Sequence, residues 1–90
     1  MTDFIILAME YKIILIKVEK RTNSASEVQK ILTNHGSNIR VRLGFHDTVD
    51  NNSSSSGLIF LEVFGDEAII TKMIASLGAI SGVSAKYLKI

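Results

Sequence analysis

From Gly57 to Val63 the chain reads Gly-Leu-Ile-Phe-Leu-Glu-Val, and this stretch limits the fold more than any other. Alternate side chains of an extended chain point to opposite faces. Leu58, Phe60 and Phe64 share one parity, while Ile59, Leu61 and Val63 share the other. A strand apolar on both faces belongs in the middle of a sheet that is covered on both sides. The chain continues through Gly65-Asp66, a helix over residues 67–77, a turn over residues 78–82 and a last strand over residues 83–90. One helix covers only one face, so something else must cover the other.

Residues 12–19 alternate in the same two-sided way. Ile14, Ile16 and Val18 take one face and Ile13, Leu15 and Lys17 the other, which predicts a second central strand. Ser24-Ala-Ser-Glu27 matches a capping box. Ala25, Val28, Ile31 and Leu32 then form one face of a helix, and His35-Gly36 ends it with Gly36 as a left-handed cap. Over residues 38–46, Ile39, Val41, Leu43 and Phe45 are expected inward, with Arg40, Arg42, Gly44 and His46 outward, as in a half-buried edge strand. Residues 47–56 are polar and rich in Asn and Ser, and read as a mobile hairpin loop. Asp66 is placed to cap the second helix, whose buried stripe is Ile69, Ile70, Met73, Ile74 and Leu77. Gly82 sits where φ > 0 or a close backbone approach is expected.

The order β-α-β-β-α-β is that of an α+β ferredoxin-like sandwich. Right-handed crossovers give an antiparallel sheet of order 4-1-3-2 with both helices on one face. The two strands that topology puts in the centre are the two that are apolar on both sides. Residues 11–90 read as a single domain and residues 1–10 as an N-terminal extension, which would otherwise add a short edge strand.

The outer face then carries Ile13, Leu15, Leu58, Phe60 and Phe64, bordered by Arg40, Arg42, His46 and Glu62. Composition supports a second buried surface. The 90 residues are 47% hydrophobic, with mean hydropathy +0.28, a high value for one small domain. The five apolar residues are the expected oligomer interface, as a dimer or tetramer, and Arg40, Arg42, His46 and Glu62 the candidate ligand contacts. Glu62 on an apolar face needs a cation opposite it, and hairpin pairing would supply Arg40 or Arg42.

Other function classes find little footing. No run of about 18 apolar residues is present to span a membrane. The absence of Cys excludes disulfides and thiolate metal sites. His35 and His46 lie in separate elements with no third histidine, so no metal or cofactor is expected. A net charge of +1 and the lack of RNP motifs argue against direct nucleic-acid binding. No catalytic constellation or phosphate-cradling loop is evident, so an enzyme is not expected.

Three stretches resemble a known family. Residues 39–45 (Ile-Arg-Val-Arg-Leu-Gly-Phe), residues 57–63, and above all Leu77-Gly-Ala-Ile-Ser-Gly-Val83 with Lys86 are similar to the iron-only hydrogenase system regulators. The resemblance covers about residues 10–90. It implies an ACT-like regulatory domain, akin also to the C-terminal half of nickel-responsive repressors. It further implies a cytoplasmic oligomer, a setting in anaerobic metabolism and no enzymatic activity. Arg40 and Arg42 stand where the nickel regulators carry metal-binding histidines, and residues 20–24 lack the Gly that ACT domains place before the first helix. No helix-turn-helix fits the length, so any control of transcription would run through a protein partner.

The sequence therefore predicts an oligomeric regulatory module that senses a small ligand, with a structural protein that dimerises and docks onto another polypeptide as the alternative. Thermal shift with metabolites separates the two. A sensor gains stability as RT ln(1 + [L]/Kd), whereas a scaffold shows no rise in melting temperature with any of them.

Overall fold

In a computed structural model of the chain, the described residues are 10–19, 24–46 and 57–90. The expected extension (apart from Glu10), the connection over residues 20–23 and the loop over residues 47–56 lie outside them. The elements are β1 (Lys12–Val18), α1 (Ser24–Asn34), a 3-10 turn (Gly36–Asn38), β2 (Ile39–His46), β3 (Gly57–Val63), α2 (Glu67–Gly78) and β4 (Val83–Lys89). All strand pairs are antiparallel and the sheet order is β2-β3-β1-β4, the expected 4-1-3-2.

The core lies between the sheet and the helices. Ile14 faces Leu61 on one side and Tyr87 on the other, and Ile16 faces Ile59 and Ala85. Ile14, Ile16, Val18, Leu61 and Val63 are buried together with Val28 and Leu32 of α1 and Ile70, Met73 and Leu77 of α2. Truncating a side chain such as Ile14 or Leu61 to Ala typically costs about 2–5 kcal/mol at sites like these. The helix stripes are narrower than the sequence suggests. Ala25 is exposed and Ser24 takes its place in the core, donating its hydroxyl to the Ser81 carbonyl at 2.9 Å. Ser24 thus ties α1 to the turn before β4, and it is already helical rather than the cap outside the helix. Ile69 lies one step off the stripe formed by residues 70, 73, 74 and 77, and is 38% exposed.

The edge strand β2 departs most from its sequence pattern. Asn38 and Ile39 pair with Phe64 and Val63, but Val41 then pairs with Glu62, leaving Arg40 as an extra residue in a β-bulge. One extra residue inverts every later side chain with respect to the sheet. Ile39 keeps its inward position against the core. Val41, Leu43 and Phe45, expected inward, instead lie opposite Glu62, Phe60 and Leu58 on the outer face. Arg42 and Gly44, expected outward, lie opposite Leu61 and Ile59 on the helix side, and Arg42 donates to the Gln29 side-chain oxygen of α1.

The helix ends follow local chemistry. Asp66 accepts from the Ala68 N–H at 3.0 Å, the expected cap. Gly36 opens the 3-10 turn instead of taking a left-handed cap, since the Asn38 N–H returns to the His35 carbonyl at 2.9 Å and the chain enters β2 without a left-handed step. Positive φ among the described glycines falls at Gly82 (81°), as expected, and at Gly65 (106°). Asn38 donates from its side chain to the Phe64 carbonyl at 3.0 Å, and a Cβ on Gly65 would come within 2.5 Å of that same amide nitrogen. Gly65→Ala therefore carries both backbone strain and a clash, and should lower unfolding stability by more than about 1 kcal/mol. Gly78→Ala, on a helix where nothing lies within 4 Å, should leave stability unchanged or raise it. Urea midpoints of the two variants check this, and equal midpoints would show that the Asn38 clamp is loose.

Candidate functional site

The outer face of the sheet is the candidate site, and strand register fixes its layout. One row across the strands is Phe45, Leu58, Lys17 and Ser84, and the next is Leu43, Phe60, Leu15 and Lys86. Val41, Glu62, Ile13 and Leu88 form the third. Tyr11 and Ile90 exchange backbone hydrogen bonds of 2.8 and 2.9 Å, which carries the pairing one step further and adds their side chains beside Phe64. All four strands thus contribute apolar surface. Among the described residues, every large apolar side chain counted as exposed lies here except Ile69, with Phe45 at 52% and Leu43 at 51%. The sequence located Ile13, Leu15, Leu58, Phe60 and Phe64 on this face. It missed Val41, Leu43 and Phe45, because alternation gives relative faces and not the position of a bulge.

Glu62 is embedded in this apolar surface, its side chain 14% exposed. Arg40 meets it with a guanidinium nitrogen 3.2 Å from a carboxylate oxygen. The same guanidinium lies over the Phe64 ring, 4.6 Å from its centre. The bulge permits this arrangement: Arg40 is the unpaired residue of β2, next to the Val41–Glu62 pair. Of the four candidate ligand contacts, the structure therefore brings Arg40 and Glu62 together. Arg42 is on the opposite side of the sheet, and His46 stands at the far end of β2 opposite Gly57. What the pair offers chemically is a guanidinium that is still 56% exposed at the rim of an apolar field. Such a group can add a carboxylate or phosphate to its partners.

A second polar cluster lies on the helix side and has no obvious sequence signal. Glu67 in the first turn of α2 receives Lys12 of β1 at 2.9 Å and Lys89 of β4 at 3.3 Å. The Tyr87 hydroxyl donates to the same carboxylate at 3.0 and 3.2 Å. Lys12 and Lys89 are cross-strand neighbours, so only the register of β1 against β4 brings the two cations to one acid. The Lys12 hydrogen bond, and next to it that of Tyr87, hold the Glu67 carboxyl down at about 2. Burial, then the bond to Glu67, push the Tyr87 phenol up to about 12. The cluster fastens the start of α2 to a central and an edge strand.

Among the described residues, no three His, Cys, Asp or Glu side chains come together as a metal site, and no helix is long and apolar enough to cross a membrane.

Glu67 has a depressed folded pKa. Its stabilising effect is fully present above the ordinary carboxylate value of 4.5 and is lost as pH falls from there toward about 2. Tyr87 is raised, so its effect is present below 10.0 and is lost as pH rises through about 12. Urea midpoints should fall on acidification below pH 4.5 in the wild type, with a flatter profile in Glu67→Gln. Parallel profiles would show that Glu67 is not the titrating anchor.

Comparison with known proteins gives a consistent result. Residues 10–87 match the family model described as "TM1266-like: Iron-only hydrogenase system regulator, putative". The structure is similar to that of the uncharacterized protein TM1266 from Thermotoga maritima, with a TM-score of 0.78 and 29% identity over 91% of this chain and 99% of that one. It is also similar to the ACT domain from GTP pyrophosphokinase of Chlorobium tepidum, with a TM-score of 0.60 and 14% identity over 89% and 97%. No curated protein matches the chain.

Proposed function

Because the chain belongs to the TM1266-like family of iron-only hydrogenase system regulators, we propose that it is a regulatory module that works as a homo-oligomer joined through the outer face of its sheet. The family is described as a regulator and not as an enzyme, and the likeness to an ACT domain supports a ferredoxin-like α+β fold. The observation that carries the proposal is the outer face itself, with exposed apolar side chains on β2, β3 and β4 and the half-buried Ile13 and Leu15 on β1.

The edges are poorer candidates for association. On β2 the bulge interrupts the ladder beside Arg40, and on β4 Lys86 and Lys89 are exposed. Bulges and lysines are the usual guards against edge-to-edge pairing. A second copy stacked on the face would bury the same residues twice under one two-fold axis. Burial of each large side chain is worth roughly 1.5–3 kcal/mol. The Arg40–Glu62 pair would then lie at the border between copies, where a small anionic ligand could bridge them and tie assembly to a metabolic signal.

Sedimentation at micromolar concentration tests the assembly. The wild type should sediment as a discrete oligomer, and Phe60→Glu, which sets a second carboxylate beside Glu62's row, should dissociate or aggregate. A wild-type monomer at that concentration would refute the assembly and the shared ligand site with it.

A further inference from the structure

The outer face carries one cation with no counterpart of its own. Lys86 lies on it beside Leu15, in the row that runs on through Phe60 and Leu43. It is exposed, and among the described residues it has no ion-pair partner, whereas Lys17 has Glu19 and Arg40 has Glu62. Glu62 in turn is only half used. Its Oε2 atom takes Arg40 at 3.2 Å, and among the described residues no donor reaches Oε1. We propose that Lys86 of a second copy of the chain completes the Arg40–Glu62 site, and that Glu62 of that copy receives Lys86 in return. This rests on the reading of the outer face as the assembly surface, and it names the contact that sets how the two copies are oriented.

Area, charge and symmetry all lead to this arrangement. A stable contact takes about 800 Å² from each partner. Four strands about 4.8 Å apart make a face only about 20 Å across, so a contact of that size includes Lys86 and Glu62 together. A lysine desolvated there without an anion opposes association, and the three rows across the strands hold one acid, Glu62. Glu62 and Lys86 stand on either side of β1, two strands apart and in adjacent rows. A two-fold axis in the plane between the copies, crossing β1 between Ile13 and Leu15, exchanges their positions. One axis therefore makes the contact twice, and it sets Leu15 near Phe60 and Ile13 near Leu88 of the partner copy. An axis along the strands instead lays Lys86 over Leu43, and one along its row lays it over Lys86 of the partner copy. Both leave the cation unmatched. Arg40 keeps Oε2 and its place at the rim.

Carbodiimide coupling, which joins an amine to a carboxylate only where the two are in contact, reads this pair directly in the full wild-type chain. In an equal mixture of unlabelled and heavy-isotope-labelled chains, mass spectrometry should find peptides that join Lys86 of one chain to Glu62 of the other. A charge exchange reads the same contact independently. Lys86→Glu alone and Glu62→Lys alone should each associate at least about tenfold more weakly than the wild type in sedimentation. An equimolar mixture of the two should recover association, because each contact in the mixed dimer again joins a cation to an anion. Where Glu62→Lys fails to fold by circular dichroism, the wild-type link decides. Wild-type oligomers without that link, or folded variants that mixing does not rescue, overturn the contact and leave the assembly reading standing. A wild type that sediments as a monomer at micromolar concentration, with no link between chains, overturns both.

Discussion

The pairing of β1 with β3 governs the rest of this molecule. Both strands are apolar on both faces, so neither can stand at an edge or face water on one side without loss. Ile14 against Leu61 and Ile16 against Ile59 fix one face to the core beneath α1 and α2. The same register sets Ile13, Leu15, Leu58 and Phe60 on the other face, where among the described residues no helix lies. The core and the outer face are therefore two products of one ladder, and a change of register would exchange them.

The bulge at Arg40 is the second determinant. It turns Val41, Leu43 and Phe45 toward the outer face, extending the apolar field to the β2 edge. It also moves Arg42 to the helix side, where Gln29 receives it. The bulged residue is left to pair with Glu62 and to stack on Phe64. A single inserted residue thus converts an ordinary half-buried edge strand into part of the apolar outer face, with the Arg40–Glu62 ion pair set into it.

The two clustered carboxylates have different environments. Glu67 is held by two lysines and a tyrosine drawn from β1 and β4, and its role is to fasten α2 to the sheet. Among the described residues Glu62 has Arg40 alone, within an apolar surface that leaves it little water. Covering that surface would desolvate the pair further, and an ion pair in that position favours one arrangement of partners over others.

The sequence alone determined the element order, the two central strands, the 4-1-3-2 sheet, the Asp66 cap and the positive φ of Gly82. Each depends on local periodicity, on the chemistry of a helix end, or on the handedness of crossovers. That Glu62 would meet Arg40 or Arg42 was also legible, because a carboxylate on an apolar face needs a cation nearby, but Val41 stands opposite it and Arg40 reaches it from the bulge rather than by direct pairing. Tertiary structure decided the rest. The faces of Val41, Leu43, Phe45 and Arg42 depend on a bulge, and a period of two reads the same with or without an inserted residue. The Glu67 cluster depends on which residues of β1 and β4 stand opposite each other. Gly36 depends on how the chain leaves α1 for β2, and Ser24 on where the turn carrying Ser81 comes to rest. Apart from Gly36, whose turn closes between His35 and Asn38, the deciding partner in each case is distant in sequence, and only the folded register brings it near.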